Sequence, residues 1–320
     1  MSTYEWKSAL SPYMQEHIAI QQAAGFKFAD QVKVLQLFDR YLFYNAYQET
    51  QIEKGMADGF IYVKGERPSS WHRKELVLHN LGVYLNNKGI QSYIPIIKTE
   101  VHRSKYIPHI YTKDELTRFF KAIDEYPLPT RPIVDGVMFR FLYSTGVRIS
   151  EALNLTLSDY DADTGTVIIR HAKNDRDRVI PLHPEMKKLL DCYMDIFHKY
   201  HGKDMPLFPD TLMTKMDINT AYNHFRNYLL LADIPHTGRG PRIHDFRHGF
   251  AVENLRRWSM EGRDLTNLIP YLSAYMGHID YKPTQYYLRL TTEIYPEMID
   301  VLETECMDII PRGGKYCDEP

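Results

Sequence analysis

The chain has few cysteines and no long apolar run. Its 320 residues contain three cysteines, whose positions fit neither a disulfide framework nor a zinc site. No stretch approaches the roughly 18 consecutive apolar residues that a membrane span needs, and the first residues lack the basic and apolar regions of a signal peptide. These absences exclude a disulfide-stapled secreted protein and a membrane protein, and they predict a cytoplasmic one.

Acidic residues are concentrated at one end of the sequence. The formal net charge is −2, but residues 291–320 hold eight acidic and two basic side chains. The rest of the chain therefore carries a net charge of +4. Such a body can present basic surfaces to nucleic acid, although this charge alone does not argue for that partner.

The length and the pattern of apolar residues predict two domains. From Tyr4 to about Asn87, apolar residues recur at helical spacing, as in the stripe formed by Val34, Leu35 and Phe38. A stretch with several basic residues and two prolines then follows, with little periodic apolar content. We expect an all-helical domain at residues 1–97, a basic linker at 98–111, a second domain at 112–290 and an acidic tail at 291–320.

The second domain has its own start signal and a region of strands. Thr112 and Glu115 are spaced as a capping box ahead of an apolar helix. The β-branched runs 166–170 and 178–182 flank a polar turn and predict a β-hairpin, whereas Pro270 is expected to begin a helix. The predicted fold class is mainly α with a small antiparallel β-hairpin or sheet, in which an all-helical N-terminal domain precedes an α+β domain.

Two arginines fall where a phosphate group could be bound. Arg148 and Arg247 each lie near a predicted helix start that follows a loop, where backbone amides also point outward. Arginine stays charged and binds phosphate through two parallel N–H groups. Cleavage of a phosphodiester there would also need a nucleophile, but the chain has 24 tyrosines and composition cannot choose among them.

Four separated motifs occur in order between about residues 112 and 290. They are Leu142–Leu153 around Arg148, a turn lysine followed by Arg178–Leu182, His244–His248, and Met276–His278 followed by Tyr287. Together they resemble the tyrosine recombinase (phage integrase) family. The resemblance is specific, because it rests on four motifs at the expected intervals and not on one.

The resemblance implies a phosphate clamp. Arg148 and Arg247 would hold the scissile phosphate, and His278 would act as a third donor. Glu151, one helical turn beyond Arg148, would orient the site without touching the substrate.

The same resemblance implies a nucleophile and two groups that move protons. Tyr287 would attack the phosphate, because the family's tyrosine lies nine residues after the histidine of the Met-Gly-His motif; Tyr286 is the alternative. Lys173 would protonate the leaving 5′ oxygen, and His244 would assist proton transfer at the nucleophile.

A chain with these residues is expected to cleave and rejoin DNA through a 3′-phosphotyrosyl intermediate, without a cofactor, metal ion or ATP. The implied partners are double-stranded DNA with a specific recombination site and further copies of the chain in a synaptic tetramer; the sequence does not identify accessory proteins. The helical domain would clamp the DNA, and the tail would dock on a neighbouring protomer. Backbone contacts are expected from basic side chains of the linker and of the loop before His244, namely Lys98, Arg103, Lys105, Arg239 and Arg242.

Several alternatives remain open from the sequence. The expected role is recombination for a mobile genetic element, and the alternatives within the family are a Xer-like chromosome dimer resolvase and a catalytically inactive DNA-binding protein. Outside the family, His244 and His248 are spaced as on a zinc-protease helix, with Asp245 in place of the usual glutamate and His278 as a third ligand. Arg247 argues against a zinc site, because it would place a cation between two of the ligands.

Overall fold

The computed structural model describes residues 4–100, 107–126, 132–170, 177–237, 240–278 and 286–291. The chain divides into two compact units, Met1–Lys105 and Tyr106–Pro320, with the division inside the stretch expected to be a linker. No helix of the described residues combines the length and apolar content that crossing a membrane would require.

The described part of the first unit is helical. Its helices are α1 (Ser11–Ala23), α2 (Ala29–Tyr44), α3 (Lys54–Ile61) and α4 (Pro68–Asn87). Proline at the first position of α4 suits a helix start, since its missing N–H would have no partner there. The core is apolar and draws on all four helices, with Met14, Phe38, Phe60 and Leu81 among its members.

In the described part of the second unit, residues 286–291 are helical, and seven other α-helices are present. They are α5 (Lys113–Asp124), α6 (Pro132–Thr145), α7 (Ile149–Ala152), α8 (Pro184–Phe197), α9 (Ile218–Leu231), α10 (Ile243–Met260) and α11 (Leu265–Met276). The capping box expected at the start of α5 is present, with the Thr112 hydroxyl accepting from Glu115 N at 3.1 Å and Thr112 N donating to the Glu115 carboxylate at 2.8 Å.

A small antiparallel sheet accompanies these helices. Its strands are β1 (Tyr160–Asp161), β2 (Thr166–Ile169) and β3 (Arg178–Pro181), in the order β1-β2-β3. Val167 pairs with Ile180, and both side chains point into the core. The expected fold class, mainly α with a small antiparallel sheet, is confirmed. The two-residue strand β1 was not expected, because it is too short to show an alternating pattern.

An aromatic cluster fixes the helices that later carry the site. Phe119 of α5 packs its ring within 6 Å of the rings of Phe139 (α6), Phe225 (α9) and Phe246 (α10). Phe246 directly precedes Arg247, so the core packing of its ring sets where α10 presents the arginine.

The expectation that Pro270 begins a helix is wrong. The helix α11 begins earlier, at Leu265, and Pro270 lies inside it. Asp264 caps the helix by accepting from Asn267 N, and the apolar residues on either side of the proline, Ile269 and Leu272, are buried against α10. Capping and burial therefore outweigh the cost of a proline within the helix.

Adjacent leucines on α9 offer a matched test of the core. Leu229 is fully buried, whereas Leu230 is 80% exposed. We expect Leu229→Ala to lower the free energy of unfolding by about 2–5 kcal/mol, because it leaves a cavity. Leu230→Ala should change it by less than about 0.5 kcal/mol. Urea denaturation of both variants checks this, and equal destabilisation would contradict the packing described for α9.

Candidate active site

The loop between α6 and α7 presents Arg148. Gly146 ends α6 with φ +62°, and a Cβ at this position would lie 2.6 Å from Cδ1 of Phe250 on α10. The site therefore needs glycine, both for its backbone conformation and for the close approach of α10. Two residues later, Arg148 caps α7, and its backbone N–H donates to Glu151 at 2.9 Å.

Glu151 is a buried carboxylate between two arginines. Arg148 Nη1 donates to it at 2.8 Å, and Arg178 donates through Nη1 and Nη2 at 3.1 and 2.7 Å. Burial alone would raise the pKa of Glu151, but the hydrogen bonds and charge of Arg178, together with Arg148, outweigh it and lower the pKa to about 2. The carboxylate therefore stays ionised and orients both guanidinium groups.

The guanidinium group of Arg247 lies at the centre of the site. It is 2% exposed and donates from Nη1 to the carbonyl of Gly146 at 2.8 Å and from Nη2 to the carbonyl of Met276 at 2.5 Å. The same Nη2 lies 3.1 Å from Nε2 of His278. Burial lowers its pKa to about 10, and it remains a cation at neutral pH.

Tyr287 is buried beside this arginine. Its ring is 3% exposed, stacks on the His278 ring with centroids 5.9 Å apart, and lies 5.5 Å from the His248 ring. Burial raises the pKa of the hydroxyl, while the charge and a hydrogen bond of Arg247 act in the opposite direction. Tyr286, the alternative nucleophile, is half-buried and has its ring 6.2 Å from that of His248.

Two histidines of α10 complete the arrangement. The rings of His244 and His248 meet edge to face at 4.9 Å. His244 keeps some contact with solvent. Desolvation by the neighbouring protein atoms, followed by the charges of Arg247 and Arg148, nevertheless lowers its pKa to about 4. Burial lowers the pKa of His248 to about 3, and its buried Nδ1 has no hydrogen-bond partner among the described residues. Both rings are therefore neutral near pH 7.

The structure thus brings six of the sequence-predicted residues into one neighbourhood: Arg148, Glu151, His244, Arg247, His278 and Tyr287. Lys98 belongs to the first unit, where its Nζ lies 4.4 Å from the centroid of the Tyr62 ring. Arg242 lies at the start of α10, where its N–H donates to Asp245 at 2.8 Å. The remaining predicted residues, Lys173, Arg103, Lys105 and Arg239, lie outside the described residues.

From the sequence, Arg178 had no predicted role, and His248 was considered as a possible zinc ligand. Arg178 lay inside one of the recognised motifs, so the signal was present, but its contacts with Glu151 depend on tertiary structure. His248 follows Arg247 directly, and only the folded chain shows that its ring faces Tyr287.

The geometry disfavours the zinc alternative. Nε2 of His278 faces the guanidinium group of Arg247 at 3.1 Å, where a second cation would be repelled. Asp245 is fully buried and accepts from the backbone of Arg242, so it does not serve as a general base for a metal-bound water. Within the described residues, no three His, Cys, Asp or Glu side chains are grouped to hold a metal ion.

Arginines beside a buried tyrosine form the kind of site that attacks a phosphodiester with a phenol oxygen. Comparison with known proteins gives the particular family. The model of the Phage integrase family matches residues 110–293, more than half of the chain, and the chain therefore belongs to this family. The resemblance seen in the four motifs is confirmed.

Relatives of this chain include both integrases and Xer recombinases. The chain is 28% identical to the integrase/recombinase y4rB of Sinorhizobium fredii over 92% of its own length and 97% of that protein. It is 29% identical to the tyrosine recombinase XerA of Thermococcus kodakarensis, over 68% of this chain and 71% of that one.

Solved structures share the fold. A lambda integrase tetramer bound to a Holliday junction matches with a TM-score of 0.63 at 16% identity, covering 87% of this chain and 76% of that chain. The XerH recombinase bound to a difH substrate matches with a TM-score of 0.60 at 18% identity, covering 91% and 84%.

Glu151 predicts a pH-dependent contribution to stability. Because its pKa is lowered to about 2 in the folded chain, the ionised carboxylate stabilises the fold above the unfolded pKa and loses this effect as pH falls toward 2. Glu151→Gln should cost on the order of 3 kcal/mol at pH 7, and the difference from wild type should shrink between about pH 5 and pH 2.

Urea unfolding of both proteins across this pH range measures the difference. Glu253→Gln is the control, since Glu253 forms a partly exposed pair with Arg256 and its loss should cost less than about 1 kcal/mol. A deficit of Glu151→Gln that is the same at every pH would contradict the role assigned to its charge.

Proposed function

We propose that this chain is a site-specific DNA recombinase that cleaves and rejoins strands with Tyr287 as the nucleophile. One observation carries the proposal: a buried tyrosine lies against His278 and His248 beside the guanidinium group of Arg247, in the same site as Arg148. Membership of the Phage integrase family supports the proposal, and so does the similarity to a protein named as a tyrosine recombinase.

The first step is binding of the scissile phosphate. Arg148 is half-buried and Arg247 is held by two backbone carbonyls, so both donors are fixed before the substrate arrives. Fixed donors that point at developing charge stabilise a transition state without reorganising. Nε2 of His278 lies 3.1 Å from Nη2 of Arg247, so this ring is next to the proposed phosphate site. The arginines neutralise the charge that grows on the non-bridging oxygens.

The second step is attack by Tyr287. Its oxygen forms a bond to phosphorus while the bond from phosphorus to the 5′ oxygen breaks, which leaves a 3′-phosphotyrosyl bond and a free 5′ hydroxyl. The raised pKa of Tyr287 means that the phenol enters the reaction protonated. The neutral ring of His244 accepts this proton, and the approaching phosphate anion raises its basicity.

The leaving 5′ oxygen takes up a proton as its bond to phosphorus breaks. Lys173, which lies in the sequence between β2 and β3, is the proposed donor by the resemblance to the family. Attack of a 5′ hydroxyl from a partner duplex on the phosphotyrosyl bond then reverses these steps and releases Tyr287. Bond energy is kept in the covalent link, so the exchange needs no nucleotide hydrolysis.

The proposed partners are a DNA duplex with a specific site and three further copies of the chain. Support comes from the fold shared with a lambda integrase tetramer on a Holliday junction. The first unit would clamp the DNA, and the basic residues Lys98, Arg103, Lys105, Arg239 and Arg242 would contact its backbone. A DNA-acting chain of this kind works in the cytoplasm.

The proposed biological role is recombination for a mobile genetic element. The near full-length match to the Sinorhizobium integrase/recombinase favours it, whereas the match to Xer proteins supports chromosome dimer resolution as the second candidate. The position of the gene, at the end of an element or in a housekeeping locus, separates the two.

Substitution of the two adjacent tyrosines tests the nucleophile. We expect wild type and Tyr286→Phe to form a covalent adduct with a nicked duplex from which the short fragment carrying the free 5′ hydroxyl dissociates after cleavage. Tyr287→Phe should form none, because it lacks the attacking oxygen. Denaturing gel electrophoresis of labelled DNA measures the adduct.

The adjacent residue serves as the matched control. An adduct that persists in Tyr287→Phe and is lost in Tyr286→Phe would reverse the assignment. Wild type that binds its site but yields no adduct would favour the catalytically inactive alternative.

A groove in the second unit suggests where the acidic tail docks. Its volume is about 760 Å³, and α6, the start of α8, α10 and α11 line it. The lining includes apolar residues and charged residues of both signs, namely Phe250, Leu272, Tyr275, Arg140, Arg257, Glu185 and Glu253. The tail offers acidic residues and apolar ones at helical spacing, namely Ile294, Met298, Ile299 and Leu302. We propose that this segment of one protomer occupies the groove of the next.

Truncation tests this docking. A chain that ends after Thr292 should bind a single DNA site as wild type does but fail to assemble two sites into a synaptic complex. Native gel electrophoresis separates the single complex from the assembled one. Efficient recombination by the truncated chain would contradict the proposed docking.

A further inference from the structure

We infer that Arg178 is a positioning residue for the cleavage reaction, which fixes the phosphate-binding Arg148 relative to His278 without touching the DNA. The inference rests on the proposed function. It assigns a task to a side chain that the phosphate clamp, the nucleophile and the proton donors leave unused.

One end of the link is Glu151. Arg178 Nη1 and Nη2 donate to the two oxygens of this carboxylate at 3.1 and 2.7 Å, so the pair is bidentate. Arg148 Nη1 donates to the same carboxylate at 2.8 Å. Glu151 therefore stands between the two arginines, and the direction in which Arg148 points depends on where Arg178 holds the carboxylate.

The other end of the link is the last turn of α11. Arg178 Nε donates to the carbonyl of Tyr275 at 2.8 Å. Gly277 follows with φ +67°, and a Cβ there would lie 2.9 Å from Nη1 of Arg178. The turn that leads into His278 thus closes directly over the guanidinium group.

Arg178 and Arg247 bind neighbouring carbonyls of this turn. Arg178 takes Tyr275, while Arg247 takes Met276 and approaches His278. From this turn Arg247 reaches the carbonyl of Gly146, and Arg178 reaches Glu151. Each of the two arginines therefore links, through its hydrogen bonds, the segment that carries Arg148 to the segment that carries His278.

A lysine at position 178 cannot form the same set of hydrogen bonds. Three N–H groups of Arg178 are used at once, in a plane that matches the carboxylate on one side and the carbonyl on the other. The side chain is 10% exposed, so it is enclosed by the groups it links. A lysine ammonium would keep the charge but could not satisfy both ends in this geometry.

The experiment compares cleavage of two nicked duplexes by wild type, Arg178→Lys and Arg178→Met. One duplex carries an ordinary scissile phosphate, and the other carries a methylphosphonate, which lacks one charged oxygen. On the ordinary phosphate we expect both variants to cleave about 100-fold more slowly than wild type, because a misplaced donor loses most of its effect. DNA binding should be unchanged, since Arg178 does not touch the DNA.

On the methylphosphonate, the difference in cleavage rate between wild type and the variants should be smaller by about tenfold or more, because there is less charge for the misplaced Arg148 to neutralise. A folding defect would lower cleavage of both duplexes alike. The same deficit on both duplexes, or no deficit on the ordinary phosphate, would therefore overturn the inference. Failure of wild type to cleave the ordinary phosphate would instead refute the proposed function on which it rests.

Arg170→Met is the matched control. Arg170 follows β2 and donates from Nε to Asp159, which precedes β1, at 2.7 Å, so it forms an arginine–carboxylate pair beside the same sheet. This pair does not include the carboxylate that binds Arg148. Cleavage by Arg170→Met should stay within about threefold of wild type on both duplexes, since a partly exposed pair contributes little. A deficit as large as that of Arg178→Met would show that any loss of charge on this sheet disturbs cleavage, and would overturn the inference.

Discussion

The buried guanidinium group of Arg247 is the interaction on which the site depends. A charge that is 2% exposed is costly unless hydrogen bonds replace its lost water. Those bonds come from the carbonyls of Gly146 and Met276, which lie on segments far apart in the sequence. The hydrogen bonds that Arg247 needs therefore bring the loop before Arg148 and the turn before His278 together. Both segments must direct a backbone carbonyl at the guanidinium group, and both contain a glycine with positive φ.

Electrostatics then decides what the site can bind. The guanidinium groups of Arg148 and Arg178 contact the carboxylate of Glu151, and that of Arg247 lies near enough for this carboxylate to affect its pKa. One carboxylate cannot neutralise three cations, and the neighbouring rings of His244 and His248 are neutral at pH 7. The remaining positive charge suits a phosphate group. Burial of Tyr287 against the same charge gives the nucleophile a fixed place but keeps its proton on until a base takes it.

The fold class and most residues of the candidate site could be predicted from the sequence, whereas the tertiary contacts between these residues could not. The motif around Arg148, the pair His244 and Arg247, and the spacing from His278 to Tyr287 are local patterns, and the structure brings these residues together. The contacts of Arg178 and the facing rings of His248 and Tyr287 join distant segments, which no local pattern reports. Pro270 was misjudged because the Asp264 cap and the buried face of α11 outweigh it. The role of Lys173 stays a prediction.

The central claim is that Tyr287, held beside Arg247, forms the bond to DNA. The most direct measurement is to digest the covalent adduct of the wild-type chain with protease and nuclease and to sequence the modified peptide by tandem mass spectrometry. We predict that the nucleotide is attached to the phenol oxygen of Tyr287. A nucleotide on Tyr286 or on any other side chain would contradict the account.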